Sequence, residues 1–409
     1  MIRGNVMIGQ SGGPTSVINS SLAGVFKVAK DFGCKHIYGM RNGMEGLLLE
    51  RYVDIYEYIR SDLDIELLKR TPSSFLGTCR YKLPHADAAP EVYEKIFEIL
   101  KRLDVEYFFY IGGNDSMDTV MQLSRYAASV GSDIRFMGVP KTIDNDLACT
   151  DHTPGYGSAA KYIGTAMKEI IRDARTYPNA SVTIVEIMGR NAGWLAAAAS
   201  LSRAEDCDGP DLIYMPERVF DHDAFLAQVA ERRQDKGAVI IAVSEGVKTS
   251  DGKYVCEVNK RSTVTDAFGH KLLGGTALYL SDFLTEQTGV KSRGIVLSTL
   301  QRCASHLVSR RDITEAFMAG ADAAVAAFSG ATGKMIVFER ISDAPYSMVT
   351  GICDIEKIAN REKTVPDEWI TADGTGVTSA FDNYARPLII GELSPFMVDG
   401  LPRHLFIDK

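Results

Sequence analysis

Short apolar runs alternate with amphipathic helical stretches along most of this chain, and that alternation limits the folds open to it. Many of the runs lead directly into a loop rich in glycine or charge, as they do at residues 6–8, 107–111, 134–139, 182–187 and 238–243. Such runs, bounded by turn residues and separated by helices, are typical of strands in parallel sheets. The pattern predicts an α/β protein whose ligand-binding loops lie at the carboxyl ends of its strands.

The chain is long enough for more than one such unit, because it has 409 residues. Residues 151–157 are rich in turn formers and mark a break, and helical periodicity resumes over residues 158–175. We therefore expect two similar three-layer α/β domains with largely parallel sheets, and an active site in the cleft between them.

Composition and charge narrow the class of protein. The net charge of −8 and the pI of about 5.5 argue against a broad surface for nucleic acid or membrane. The seven cysteines are scattered without a Cys-x-x-Cys pair, which favours a reducing compartment over a disulfide framework or a zinc site. We find neither a signal peptide nor a stretch near the ~18 apolar residues of a membrane span. A cytoplasmic protein is expected.

The loop at residues 140–146 reads Pro-Lys-Thr-Ile-Asp-Asn-Asp and carries the strongest functional signal. It places a lysine, a hydroxyl and two carboxylates directly after an apolar run, where a merely solvated loop is the weaker explanation. Asp144 could accept a proton from an alcohol, Lys141 could neutralise a phosphate, and Thr142 could hydrogen-bond a phosphoryl group in transfer.

A second loop, Gly-Gly-Asn-Asp-Ser at residues 112–116, also follows an apolar run. Its glycines let the backbone approach a phosphate, and the helix that follows offers free N–H groups to an anion. A tight turn in which Asp115 or Ser116 caps that helix explains the loop about equally well. The loop lacks the Gly-Lys-Ser/Thr ending of a Walker motif.

Several other candidate site residues are informative only in combination. They are the turn at 11–14, Arg80, Met188-Gly189-Arg190, Glu245, Arg293 and Arg302. Taken singly, each is explained as well by an ordinary turn, a helix cap or a surface charge, because most Glu and Arg side chains are exposed.

In their order along the chain, these motifs resemble the phosphofructokinase family, and its pyrophosphate-dependent branch more closely than its ATP-dependent one. The resemblance covers about residues 6–338, and its carriers are the loops at 112–116, 140–146, 188–190 and 300–302. The segment Asp266-Ala267-Phe268-Gly269-His270 is a weaker cue to the same branch. The resemblance implies reversible, Mg²⁺-dependent phosphorylation of fructose 6-phosphate by pyrophosphate in glycolysis and gluconeogenesis, by a homodimer or homotetramer.

The resemblance also implies a role for each matching residue. Four residues are expected to act on the transferred phosphoryl group: Asp144 as the base, with Lys141, Thr142 and Arg190. Five are expected to hold the sugar phosphate: Met188, Gly189, Glu245, Arg302 and, usually from a neighbouring subunit, Arg293. The expected diphosphate contacts are Gly13, Arg80, Gly113, Asp115 and Lys141. The candidate metal ligands are Asn114, Asp115 and Asp146.

By the same resemblance, residues 1–155 and 301–355 would form the domain for the phosphate donor. Residues 156–300 and 356–409 would form the domain for the sugar phosphate. The segment after Phe338 matches the family least, and no role is assigned to it.

Two charged residues favour pyrophosphate over ATP as the donor. Asp115 and Lys141 stand where ATP-dependent relatives tend to have glycine. A carboxylate at position 115 would crowd and repel the α-phosphate of a nucleotide, and a lysine at position 141 adds positive charge beside a compact diphosphate. An ATP-dependent phosphofructokinase is the nearest alternative.

Three departures from the family pattern leave questions open. Asn114 stands where most members have an aspartate linked to magnesium, so the metal-holding carboxylate is not fixed. Because of this departure, a catalytically silent regulatory subunit stays open as an alternative function, one that is not enzymatic. Thr299 and Ser181 stand where, or near where, ATP-dependent relatives have basic residues, so the 6-phosphate pocket is less basic. An NAD or lipid kinase is a third alternative, but such kinases lack the other motifs.

Overall fold

The computed structural model describes residues 4–176, 181–258 and 273–407. In these ranges the larger sheet has seven strands: β1 (Asn5–Gln10), β2 (Ile37–Met40), β3 (Tyr52–Asp54), β4 (Val105–Gly112), β5 (Arg135–Pro140), β10 (Lys334–Asp343) and β11 (Tyr346–Asp354). The second has four: β6 (Ser181–Ile187), β7 (Leu212–Tyr214), β8 (Ala238–Ser244) and β9 (Ser292–Val296). A short ribbon follows: β12 (Met397–Val398) and β13 (Leu401–Pro402).

The helices within the described ranges alternate with these strands. They are α1 (Ile18–Asp31), α2 (Gly43–Leu48), α3 (Asp62–Arg70), α4 (Pro90–Arg102), α5 (Asn114–Val130), α6 (Tyr156–Ala174), α7 (Trp194–Ala197), α8 (His222–Asp235), α9 (Thr276–Thr288), α10 (Arg310–Phe328) and α11 (Ser379–Ala385). None of the helices in the described part of the chain is long and apolar enough to cross a membrane.

Both sheets are mainly parallel, as the sequence predicts. The larger sheet has the order β11-β10-β5-β4-β1-β2-β3, and only its outermost pairs, β10 with β11 and β2 with β3, are antiparallel. The smaller sheet has the order β7-β8-β6-β9, and all of its neighbouring strands are parallel. The prediction of an α/β fold is confirmed.

Each sheet lies between two layers of helices, because successive residues of a strand face opposite sides. In β1, Val6 and Ile8 pack with α1 and α10, whereas Met7 packs with α4 and α5. In β6, Val182 and Ile184 pack towards α8 and α9, whereas Val185 and Ile187 pack towards α6. Each fully buried aliphatic side chain of this kind contributes about 1.5–3 kcal/mol through its removal from water.

The last part of the chain returns to both sheets. Strands β10 and β11 extend the larger sheet, whereas apolar residues between 365 and 388 pack in the core beside α6. The domain boundaries drawn from the sequence remain a prediction.

The alanine-rich stretch after residue 190 forms a short α7 followed by a 3₁₀ turn, Ala198–Ser202. The hydroxyl of Ser202 donates to the Ala199 carbonyl three residues back, and the hydroxyl of Ser200 donates to Asp382. A local bond such as that of Ser202 competes with regular helical hydrogen bonds, and 3₁₀ geometry is common where a helix tightens.

Candidate active site

A cavity of about 630 Å³ lies where the carboxyl ends of the two sheets face each other. The loops after β1 and β4 and the loop after β5 form one side of it. The loops after β6 and β8 form the other side, and residues 360 and 362 close an edge. This is the place at which a parallel α/β architecture puts its ligand site.

The structure brings together nearly all of the residues predicted for the site. Those that line the cavity are Gly13, Arg80, Gly113, Asn114, Asp115, Lys141, Thr142, Asp144, Asp146, Met188, Arg190, Glu245 and Arg302. Gly189 lies between two of them in the chain, at a φ of 135° that few other residues adopt. A Cβ there would lie 2.6 Å from the Ala192 carbonyl oxygen, so only glycine fits.

Arg293 is the exception. It lies on β9 outside the cavity, with a side chain 60% exposed and a guanidinium nitrogen 4.0 Å from Asp173 Oδ2. Within this chain it therefore does not reach the cleft, and its predicted role in a neighbouring subunit's site remains a prediction. The segment at 266–270, a weaker cue in the sequence, lies outside the described residues.

The loop after β5 is held in shape by its own backbone and by polar side chains. The Thr142 hydroxyl accepts a hydrogen bond from the Asp144 amide at 3.1 Å, and the Thr142 carbonyl accepts one from the Thr153 hydroxyl at 2.8 Å. Asn145 has a φ of 55°, and its side chain donates to the Tyr384 hydroxyl and accepts from the Thr153 amide. These contacts fix where Asp144 and Asp146 point.

Lys141 is a buried cation directed into the first loop. Its side chain donates to the Gly13 carbonyl at 2.7 Å, and its backbone amide donates to the Gly112 carbonyl at 3.0 Å. Burial lowers the pKa of Lys141 to about 8, although the charges of Asp144 and Asp146 oppose that shift. A lysine that is only partly hydrated and already oriented is well suited to bind an anion.

The pKa values of Asp144 and Asp146 are both raised by burial, but the charges nearby act differently on the two residues. Burial raises the pKa of Asp144, while the positive charges of Arg190 and Lys141 act against the increase. Burial also raises the pKa of Asp146, to about 7, and the charges of Asp144 and Glu362 add to the increase. A carboxylate of this kind in a cleft is a candidate general base.

The loop after β4 ends at the N-terminus of α5. The residue preceding the helix is Gly113, and no side chain there makes a capping hydrogen bond. Asp115 and Ser116 therefore do not cap the helix, which removes the simpler explanation for their presence. The first free N–H groups of α5 border the cavity, where they can donate hydrogen bonds to an anion.

Three arginines concentrate positive charge in the cleft: Arg80, Arg190 and Arg302. Burial lowers the pKa of Arg80, and the nearby charges of Arg190 and Arg302 lower it further. A Cβ at Gly13 would lie 3.2 Å from Arg302 Nη1, so this arginine is also close to the first loop. Three like charges held this close are favourable when they share an anion.

Met188 and Glu245 border the cavity on the side of the smaller sheet. The Met188 amide donates to Gln301 Oε1 at 3.1 Å, and the Glu245 amide donates to the Ile187 carbonyl at 2.9 Å. Burial raises the pKa of Glu245 to about 7, and the charge of Asp144 adds to the effect. Glu245 and Asp144 therefore line the same cavity from its two sides.

Sequence reasoning missed four polar residues that line the cavity: Lys82, Asn191, Asn360 and Glu362. Two of them lie in the segment after residue 338, to which no role is assigned above. Asn191 belongs to the loop after β6, beside Arg190, so the rule that located the other residues could have found it. Lys82, Asn360 and Glu362 do not directly follow a strand, and that rule gives no signal for them.

The residues present fit magnesium delivered with a diphosphate. Within the described ranges, no three His, Cys, Asp or Glu side chains lie close enough to hold a metal by themselves. Magnesium usually keeps several waters and takes only one or two carboxylates, with substrate phosphates completing its shell. Asp146 borders the cavity, and its Oδ1 is buried without a hydrogen-bond partner. An unpaired buried carboxylate oxygen is costly unless a cation or water occupies it.

Comparisons with known proteins agree with this site. The sequence model of the phosphofructokinase family matches residues 5–326. The pyrophosphate–fructose 6-phosphate 1-phosphotransferase of Halomonas elongata is 39% identical over 407 residues, which are 98% of this chain and 96% of that protein. That of Xanthomonas campestris is 40% identical over 408 residues, 99% of this chain and 96% of its own.

A solved structure gives the same result. The pyrophosphate-dependent phosphofructokinase of Nitrosospira multiformis superposes with a TM-score of 0.88 and is 38% identical, and the match covers 98% of this chain and 96% of that one. The match of the family model, the near-complete coverage by relatives and the position of the cleft lead to one conclusion: this chain belongs to the phosphofructokinase family.

Proposed function

We propose that this protein is a pyrophosphate:fructose 6-phosphate 1-phosphotransferase, which reversibly phosphorylates fructose 6-phosphate to fructose 1,6-bisphosphate. The observation that carries the proposal is that Asp115 and Lys141 border the same cavity as Asp144. The names of the full-length relatives from Halomonas and Xanthomonas support the same donor.

Pyrophosphate would bind on the side of the larger sheet. Lys141 and Arg80 supply positive charge there, and the N-terminus of α5 supplies backbone N–H groups. Asp115 lies in the first turn of α5, where its carboxylate would repel the additional phosphate of a nucleotide. A compact diphosphate fits beside the Asp115 carboxylate, whereas the longer phosphate chain of a nucleotide would come into contact with it.

The chemistry requires one proton acceptor and several cations. Asp144 takes the proton of the sugar 1-hydroxyl as that oxygen forms a bond to the nearer phosphorus, and the bridging P–O bond of pyrophosphate breaks to release phosphate. Lys141 and Arg190 stabilise the charge on the phosphoryl group during transfer, and Thr142 orients it. Glu245 and Met188 hold the sugar on the opposite side.

Magnesium, when bound, would neutralise negative charge that develops on the diphosphate during the transfer. Of the predicted ligands, Asp146 and Asp115 offer carboxylates to it. The side chain of Asn114 is engaged elsewhere, as described below.

The remaining expectations follow from the same proposal. The reaction belongs to glycolysis and gluconeogenesis in the cytoplasm. If Arg293 completes the 6-phosphate site of a neighbouring subunit, the active form is at least a homodimer.

The direct test is phosphate release from pyrophosphate with fructose 6-phosphate and Mg²⁺, and ATP is tried as donor in parallel. We expect turnover with pyrophosphate and little with ATP. Asp144→Ala should lose about 10²–10⁴-fold in kcat, which is the usual contribution of a general base. Turnover with ATP alone would favour the ATP-dependent alternative, and no turnover with either donor would favour a silent regulatory subunit.

A further inference from the structure

The structure points to an additional metal-holding residue in the cleft. We propose that Glu362 takes part in holding the magnesium ion of magnesium pyrophosphate, and that Asn114 positions the segment that carries it. This inference rests on the proposed function and identifies residues of the same site.

The Asn114 side chain binds the backbone of the C-terminal segment through both its oxygen and its nitrogen. Its side-chain oxygen accepts a hydrogen bond from the Asn360 amide at 2.6 Å, and its side-chain nitrogen donates to the Arg361 carbonyl at 2.7 Å. An aspartate has no N–H to donate, and its negative oxygen would face the Arg361 carbonyl. An amide at position 114 is therefore required for this contact, which explains why an aspartate would not serve here.

The same segment is attached to the loop that carries Asp146. The Lys363 amide donates to the Asp146 carbonyl at 2.7 Å, and Leu147 and Glu362 form a single antiparallel β-bridge. The Lys363 side chain donates to the carbonyls of Thr150 and Asp151 at 3.0 and 2.7 Å. These bonds hold residue 362 beside Asp146 from both ends.

The carboxylate of Glu362 is oriented and still has an oxygen available. Glu362 Oε1 accepts a hydrogen bond from Asn191 Nδ2 at 2.9 Å, and no Lys or Arg forms an ion pair with it within the described residues. Its negative charge acts on both Asp144 and Asp146. Glu362 thus adds a second carboxylate beside Asp146 at the lining of the cavity.

Two independent reasons favour a cation beside Asp146 and Glu362. Asp146 Oδ1 is buried there without a hydrogen-bond partner, and like charges this close are unfavourable unless a positive charge lies between them. The ligand of the cleft is itself strongly anionic. A hydrated divalent cation held by Asp146 and Glu362 satisfies the unpaired oxygen and allows the diphosphate to approach.

The test compares Glu362→Gln with Glu356→Gln. Glu356 lies in the same segment but pairs with Arg125 on the surface at 2.8 Å, so it controls for a lost charge. Mn²⁺ binding is measured by electron paramagnetic resonance in the presence of methylenediphosphonate, which cannot be cleaved. We expect E362Q to weaken Mn²⁺ binding about 10–100-fold and to raise the Mg²⁺ concentration for half-maximal rate to a similar extent. E356Q should match the wild type.

Asn114→Asp separates this inference from metal binding at position 114 itself. If Asn114 positions Glu362, N114D weakens Mn²⁺ binding although it adds a negative charge. Tighter Mn²⁺ binding by N114D, or equal binding by E362Q and E356Q, would overturn the inference. A wild type that releases no phosphate from pyrophosphate would instead overturn the proposed function, and circular dichroism checks that each variant is folded.

Discussion

Lys141 and Gly13 are joined across the base of the cleft, because the Lys141 ammonium donates a hydrogen bond to the Gly13 carbonyl at 2.7 Å. The lysine follows β5 and the glycine follows β1, two strands of one sheet that are separated by β4. The contact fixes the position of a cation that would otherwise be mobile. It also holds Lys141, which is predicted to favour pyrophosphate as the phosphate donor, against the turn that is predicted to contact pyrophosphate.

Pyrophosphate affinity should depend on the protonation of Lys141. Burial lowers its pKa to about 8, so the side chain is charged below pH 8 and loses its charge above that pH. We expect the KM for pyrophosphate to rise by up to about tenfold per pH unit above pH 8. Lys141→Arg keeps the charge at all of these pH values, so its KM should stay flat. Kinetics from pH 6.5 to 9.5 measure this, and an equal rise in K141R would contradict it.

The choice of donor should change when both charged residues are replaced. Asp115→Gly removes the carboxylate that repels a nucleotide, and Lys141→Gly removes the cation beside the diphosphate. We expect the double variant to lose at least about 100-fold in kcat/KM with pyrophosphate, equivalent to about 3 kcal/mol, and to gain turnover with ATP. Each single variant is the control, and a wild type that uses ATP only would refute the argument.

The sequence predicted the cleft well wherever a strand leads directly into it. Lys141, Asp144 and Arg190 each follow an apolar strand, and the carboxyl ends of parallel strands meet at one edge. Asn360 and Glu362 could not be found in this way. Their segment is held at the cavity by hydrogen bonds to the Asn114 side chain and to the Asp146 carbonyl. A side-chain amide that binds a distant backbone segment leaves no periodic pattern in the sequence, so these two residues could not be predicted.

A substrate site shared between subunits can be tested with Arg293. Its side chain is 60% exposed and lies outside the cleft of its own chain. We expect Arg293→Ala to raise the KM for fructose 6-phosphate about 30-fold or more, the cost of one charged hydrogen bond to phosphate, with the KM for pyrophosphate unchanged.

Mixing Arg293→Ala with Asp144→Ala distinguishes the two possible origins of the arginine. If Arg293 serves the neighbouring site, a mixed dimer contains one site with both residues intact. Random mixing should then restore about a quarter of the wild-type sites, with a normal KM for fructose 6-phosphate. No recovery in verified hybrids would show that Arg293 does not act across the interface.

His152 should make stability depend on pH. It is 1% exposed, and its ring nitrogens lie 2.8 Å from Asp151 Oδ2 and 2.8 Å from Glu315 Oε2. Burial alone would lower the pKa of His152, but hydrogen bonds to Asp151 and Glu315 raise it above 6.5 overall. A raised pKa in the folded state gives stability that is complete below pH 6.5 and is lost as the pH rises through the folded-state value.

Urea unfolding between pH 6 and 9 measures this contribution. The free energy of unfolding should fall by up to about 1.4 kcal/mol per pH unit in the wild type as His152 loses its proton. His152→Gln should remove that part of the slope and destabilise the protein by about 3 kcal/mol at pH 6, because it leaves the buried Glu315 carboxylate without its cation, although Arg340 still pairs with Asp151. His36, with a side chain 38% exposed, pairs with Asp54, and His36→Gln should cost less than about 1 kcal/mol. If H152Q and the wild type had the same slope, the buried imidazolium would not be its source.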